Sequence, residues 1–167
     1  MDILQSFLLG LLQGLTEFLP ISSSGHLALG KYFLGENNEA GLTFEIVVHF
    51  GTLCSILIYY RALIGDILKS GVSFLAAPKE KKDDPNVKMI LFVLISMIPA
   101  FIVGFTLKDS VESIFDSPFL VSIMLVVTGF ILFLTKFAKE KDGEVTLGRS
   151  FIIGLAQAFA MIPGISR

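Results

Sequence analysis

One stretch constrains this chain more than any other. Residues 13–26, Gln-Gly-Leu-Thr-Glu-Phe-Leu-Pro-Ile-Ser-Ser-Ser-Gly-His, sit inside a run apolar enough for lipid. Yet they carry a carboxylate, an amide, an imidazole, three serine hydroxyls, a proline and two glycines. Ionisable groups in hydrocarbon are costly unless they line a cavity or find partners, so an intramembrane Glu17 and His26 are first of all candidates for function. A helix that breaks at Leu19-Pro20 also frees backbone groups, which only surrounding protein or trapped water can satisfy. The rest of the chain reads as scaffold for that break.

The scaffold is a membrane one. Of 167 residues, 53% are hydrophobic and 17% charged, against about 25% charged in soluble domains, and the mean hydropathy is +0.77. The charges cluster and leave long windows nearly free of them. No basic stripe suggests nucleic acid as a partner. Cys54 is the only cysteine, so there is no disulfide framework. The opening Met1-Asp2-Ile3 lacks the basic region of a signal peptide, so the first apolar segment is expected to direct insertion itself.

Residues 3–19 approach the ~20 needed to cross a bilayer, whereas residues 26–34 after Pro20 are too few to cross back. Together they predict a re-entrant hairpin, closed by a polar turn over residues 35–41. Residues 44–60 predict a span ending in the interfacial anchor Tyr59-Tyr60-Arg61. Within the polar connection 61–88, residues 64–77 are amphipathic enough to lie along the membrane surface. Residues 89–107, with kinks expected at Pro99 and Gly104, and residues 118–135 predict two further spans. Residues 150–162 are again apolar and run into Pro163-Gly164-Ile165-Ser166-Arg167. The fold class is an all-α polytopic membrane protein, one transmembrane domain over residues 1–167. Connections 61–88 and 136–149 are rich in lysine and arginine, while 35–43 and 108–117 hold one base between them. The first pair is expected on the cytoplasmic side and the second outside.

A shift of 144 residues lays the start of the chain over its end without a gap. Seven of 18 positions agree between residues 6–23 and 150–167, among them Ser6 with Ser150, Gly10 with Gly154, Gln13 with Gln157 and Ser22 with Ser166. The first repeat begins near residue 3 and the second near 150. One re-entrant hairpin and three crossings lie between, an odd number, so the second copy enters from the opposite face. This predicts an inverted-topology repeat whose two broken helices meet near the bilayer midplane; the plainer alternative is two kinked spans.

The break has the make-up of an anion site. A serine cap at Ser22 leaves the N–H groups of Ser23, Ser24 and Gly25 directed at the break, with the positive end of the helix dipole behind them. Gly25 permits close backbone approach. Arg167 would arrive from the second break as a forked, always-charged donor suited to phosphate. Ser22, Ser24, Gly25, Gly164 and Ser166 are therefore substrate-binding candidates, and Glu17, Ser23, His26 and Arg167 catalytic ones. Glu17 shares a helix face with Gln13. It is fit to help hold a divalent cation, to act as a base towards a hydroxyl or water, or to sit protonated against a neighbouring helix. Ser23 and His26, three apart, suit a nucleophile and its acid or base, although serines in membrane helices commonly bond backbone. Glu45 and His49 form a second intramembrane pair, facing the same cavity or neutralising each other. Thr52, Ser55, Ser96 and Thr128 are read as ordinary interhelical hydrogen-bonding residues.

These residues resemble a known family. Residues 13–26 are similar to the (Glu/Gln)-x-x-x-Glu signature and the following Pro-x-Ser-Ser-x-Gly-His of the undecaprenyl-diphosphate phosphatase family, the bacitracin-resistance type. Pro163-Gly164-Ile165-Ser166-Arg167 looks like the opening of that family's second signature, Pro-Gly-x-Ser-Arg-Ser-Gly, and Thr43-Phe44-Glu45 like the start of its next span. The resemblance implies a phosphatase that converts undecaprenyl diphosphate to undecaprenyl phosphate, recycling the lipid carrier for cell-wall synthesis. It implies a place in the bacterial inner membrane with an outward-facing site, among membrane lipids, a magnesium or calcium requirement held at Glu17 and Gln13, and a homodimer among the assemblies to test. By position, Glu17 would assist metal or water, Ser23 would be nucleophile or phosphate contact, His26 the acid/base and Arg167 the phosphate clamp. Two departures matter: Gln13 stands at the first acidic position, and the chain stops at Arg167, so it is read as a fragment that need not be active. The rival reading is a secondary transporter or lipid flippase built on inverted repeats; a non-catalytic scaffold leaves Glu17, His26 and Arg167 unexplained.

Overall fold

The computed structural model describes residues 2–36, 40–115, 117–139 and 143–166. Arg167, the middle of the 35–43 turn and part of the 136–149 loop lie outside the described residues. Among those described there are helices and no strands: α1 (Ile3–Glu17), α2 (Ser23–Phe33), α3 (Ala40–Tyr59), α4 (Arg61–Ala76), α5 (Pro78–Lys81), α6 (Pro85–Thr106), α7 (Lys108–Phe115), α8 (Pro118–Thr135) and α9 (Leu147–Phe159). Local sequence explains where the long ones begin. Asp2 caps α1 in a reciprocal box with Gln5. Asp84 and Ser117 cap α6 and α8, each followed by a proline at the first helical position, where no N–H is needed.

The packing inverts that of a water-soluble protein. Gln13, Thr16, Ser22, Thr52, Thr128 and Ser150 are buried, while Phe7, Phe50, Phe101, Phe105, Phe130 and Phe151 are exposed. Lipid, not water, is the solvent that suits such a surface. Helices α6, of 22 residues, and α8, of 18, are long and apolar enough to cross a membrane. A third crossing follows if α3 and α4 count as one bent span; they meet at 78° about Tyr60. That bend lays α4 across the direction of α3, where it packs on α6 through Gly71 and Ile90 and through a hydrogen bond from Asn86 Nδ2 to Ser70 Oγ. Helix α6 runs through Pro99 and Gly104 uninterrupted.

Helices α1 and α2 form an antiparallel hairpin. Gln5 at the start of α1 donates to the Leu34 carbonyl just past the end of α2, and Glu17 at the end of α1 meets Ser23 at the start of α2. At 15 and 11 residues the two arms are about 22 and 17 Å long, each short of a full crossing. Gly30 keeps them close, since a Cβ there would stand 2.8 Å from Leu9 Cδ2. Helix α2 packs in turn on α8, α1 on α3, and α9 along α6.

The two helices related by the 144-residue shift begin at equivalent positions. Asp2 and Thr146 are the caps, and each accepts a hydrogen bond from the backbone N–H three residues on, Gln5 and Arg149. Ser6 and Ser150 each donate to the carbonyl of their cap.

Candidate active site

Helix α1 stops at Glu17, two residues before the Leu19-Pro20 pair, and α2 starts at Ser23. Between them Ser22 takes a left-handed backbone, φ 66° and ψ 86°, the only described non-glycine residue with positive φ. Such a conformation is strained for a residue with a Cβ and persists where the surroundings enforce it. Here it turns Ser22 Oγ back to accept from Gly25 N–H at 3.4 Å, and Ser24 Oγ lies 3.4 Å from the same oxygen.

Two polar side chains of the stretch meet at Glu17. Its Oε2 accepts from Gln13 Nε2 at 2.8 Å and from the Ser23 hydroxyl. Gln13 is 1% exposed and its Oε1 has no hydrogen-bond partner. An orphaned buried acceptor costs roughly 1–3 kcal/mol, and because the amide nitrogen is committed to a carboxylate, the oxygen cannot change places with it. His26, one helical step beyond Ser23, donates Nδ1–H to the Ser22 carbonyl at 2.8 Å. A carbonyl only accepts, so the Nδ1 proton is fixed and Nε2 is the nitrogen left to exchange one. His26 also lines an open cleft of about 330 Å³ with Ile21, Leu125, Val126, Thr128 and Gly129.

The second break, after α9, comes to the first. A Cβ added at Gly25 would stand 2.8 Å from Gly164 Cα and 2.9 Å from Leu125 Cδ2. Gly164 itself has φ +92° and sits so tightly on α8 that a Cβ would lie 2.6 Å from the Val121 carbonyl oxygen. Only glycine serves at such a position. The turn is tied down by a residue that sequence reading took for an ordinary interhelical hydroxyl. Thr128 Oγ1 donates to the Gly164 carbonyl at 2.7 Å and accepts from Ser166 N–H at 3.0 Å. Its partners lie 36 and 38 residues away, and no local signal distinguishes it from the other hydroxyls on spans.

Gln13, Glu17, Ser22, Ser23, Ser24, Gly25, His26, Gly164 and Ser166 thus occupy one region, the contact between the two breaks. Arg167 lies outside the described residues. The Glu45–His49 pair is organised otherwise: Glu45 forms an ion pair with Lys31 of α2, and His49 Nδ1–H donates to the Glu45 carbonyl rather than to its carboxylate. Among the described residues no three His, Cys, Asp or Glu side chains converge as a metal cluster would require. The Glu17 carboxylate and the orphaned Gln13 Oε1 are oxygen donors of the kind a hard divalent cation takes, although it is the Gln13 amide nitrogen that faces Glu17.

Fold and site together define a polytopic helical membrane protein with a part-buried carboxylate, serine and histidine where two helix breaks touch. Comparison with known sequences gives the family: residues 6–167 match the bacitracin resistance protein BacA family, and the chain belongs to it. It is 40% identical over 168 residues to an undecaprenyl-diphosphatase of Salinibacter ruber and 42% identical over 170 residues to one of Christiangramia forsetii, covering 98% and 100% of this chain. An undecaprenyl-diphosphatase 1 of Bacillus licheniformis is 38% identical over 168 residues, 99% of this chain. The chain spans 62% of the length of each of these curated relatives.

Proposed function

We propose that this chain supplies the reacting centre of a membrane phosphatase that hydrolyses undecaprenyl diphosphate, or a polyprenyl diphosphate like it, to the monophosphate and inorganic phosphate. The observation that carries the reading is the hydrogen bond from Ser23 to Glu17, with His26 one step away and the second signature in van der Waals contact at Gly25. The names of the relatives agree with it.

In this reading the terminal phosphate lies at the start of α2, where backbone N–H groups and the helix dipole favour an anion. Glu17 takes the Ser23 proton as Ser23 Oγ attacks the terminal phosphorus and the bridging P–O bond breaks. His26, held by its Nδ1–H, delivers a proton from Nε2 to the leaving prenyl monophosphate. Water then attacks the serine phosphate, giving a proton to His26 Nε2, while the P–O bond to Ser23 breaks and Glu17 returns the proton to Ser23. Arg167 is assigned to the equatorial phosphate oxygens. A bound magnesium or calcium ion, held by Glu17 and Gln13 Oε1, would neutralise phosphate charge. The cleft beside His26, apolar but for His26 and Thr128, suits a molecule with a charged head and an isoprenoid tail.

The topology belongs to the same proposal. Equivalent starts of α1 and α9, together with touching breaks, support an inverted repeat with re-entrant hairpins. The distribution of lysine and arginine supports a bacterial cell-membrane location with the connections 35–43 and 108–117 outside.

The test is phosphate release from a prenyl diphosphate in detergent, using the chain and a version extended to the length of its relatives. Release that falls ~100-fold or more in Ser23→Ala and His26→Ala proteins of unchanged fold supports the assignment. Rates untouched by both substitutions overturn it, and lipid movement in vesicles without phosphate release would favour the transporter instead.

A further inference from the structure

We infer that Thr128 is a positioning residue for the phosphate site, the side chain whose hydrogen bonds tie the second signature to α8 and so set it against the first. The inference rests on the reading of the site given above. Thr128 is 3% exposed, and its hydroxyl both donates and accepts: the proton goes to the Gly164 carbonyl and a lone pair receives the Ser166 N–H. One oxygen therefore closes the turn Gly164-Ile165-Ser166 from the outside. The last regular contact of α9 is the Ala160 N–H to the Ala156 carbonyl, and beyond it the backbone–backbone hydrogen bonds among the described residues are short-range turns such as Ile165 N–H to the Ile162 carbonyl. Those turns fix local shape; they do not fix where the turn sits relative to α2.

Thr128 does that. Gly25 on α2 and Gly164 on the turn meet backbone to backbone, and Leu125, one turn before Thr128 on α8, touches both. The hydroxyl thus locks the height of Ser166 along α8 at the level where Gly25 begins α2. Ser166 is one peptide bond from Arg167, the cation of the motif. Removal of the hydroxyl leaves a buried carbonyl and a part-buried N–H without their partner, in a setting where water cannot readily replace it. The turn would then slide or rotate to find other partners, and the anion-binding groups it carries would leave register.

The test compares wild type with Thr128→Ser, Thr128→Val and, as a control for plain destabilisation, Leu9→Ala, which empties a buried site between α1 and α2. Three quantities are read: thermal unfolding in detergent, kcat and KM for a prenyl diphosphate, and the affinity for inorganic pyrophosphate. Expected are a fall of roughly tenfold to a hundredfold in kcat/KM and a matching loss of pyrophosphate affinity in Thr128→Val. Thr128→Ser, which keeps the oxygen, should recover both to within about threefold, and Leu9→Ala should unfold at lower temperature with its pyrophosphate affinity kept. Thr128→Val matching wild type, or falling only as far as Leu9→Ala in affinity, overturns the inference while leaving the phosphatase reading intact. Wild type that binds pyrophosphate without hydrolysing the lipid overturns the phosphatase reading, and the affinity series still decides the role of Thr128. Wild type that neither hydrolyses nor binds overturns both.

Discussion

Helices α1 and α9 start alike and end unlike. Both follow an oxygen-bearing cap, both place a serine one turn in that bonds the cap carbonyl, and both carry a glutamine at the same later position, Gln13 and Gln157. Yet α1 buries Leu9, Gln13 and Thr16, whereas α9 buries Ser150, Gly154 and Ala158. The small-residue face of α9 lies along α6, where Gly154 sits against the Ser96 backbone with no room for a Cβ. At the corresponding Gly10 of α1 a Cβ would meet only Val48 Cγ1, at 4.0 Å. Gln157 is exposed while Gln13 is sealed beside Glu17, and the place equivalent to Glu17 is filled by Met161. Equal local sequence therefore gives an equal helix start, but the neighbouring helix decides which face is buried. At the end of α1 that neighbour brings a serine to a carboxylate.

Substitutions at paired positions sharpen this contrast. The largest difference is expected at the carboxylate: Glu17→Gln should lower phosphate release by ~10²- to 10⁴-fold. Met161→Leu, near-isosteric at the equivalent place, should keep the rate. Next is the glycine pair. Gly154→Ala should destabilise by about 1–3 kcal/mol, because its methyl collides with backbone, while Gly10→Ala, whose methyl has room, should stabilise by about 0.5–1 kcal/mol by restricting the unfolded chain. Thermal unfolding in detergent reads both, and equal responses would show that the two faces are not differently packed. The glutamine pair should differ less. Gln13→Ala is expected to cost about 1–2 kcal/mol through the lost Glu17 hydrogen bond, offset in part by removing its orphaned oxygen; Gln157→Ala should stay within about 0.5 kcal/mol of wild type.

The smallest effect lies outside the membrane. Lys88 holds the exposed Asp83 carboxyl below the ordinary aspartate range through a hydrogen bond and its charge. A depressed folded-state value means the pair contributes above the unfolded aspartate pKa and fades as pH falls below it. For a bridge this exposed, Asp83→Asn should leave the unfolding temperature at neutral pH unchanged within error. A measurable drop would mean that the 61–88 connection matters to the fold.

Much of the helix pattern was legible beforehand. Apolar windows around 89–107 and 118–135 became α6 and α8, and the serine cap at Ser22 announced the start of α2. The stretch 13–26 was singled out because a carboxylate and an imidazole in an apolar run require partners. Less legible were the companions. Glu45 and His49 looked like a pair by spacing, but Lys31 of another helix takes the carboxylate. Thr128 looked like any hydroxyl on a span, and its partners come from a turn whose position no helical period encodes.

What the sequence determined alone was everything set within a few residues: where helices begin, which stretches prefer lipid, where Pro20 and Pro163 forbid continuation, and which polar groups would need company. These are short-range, because caps, proline geometry and transfer into hydrocarbon act on each segment by itself. Tertiary structure decided which polar group met which. Glu17 reached Ser23 because the α1–α2 hairpin closed, and Gly164 reached Gly25 because α8 offered one hydroxyl to two backbone groups. Such meetings depend on how far separate helices approach, and that distance is set by the shapes of side chains distant in sequence.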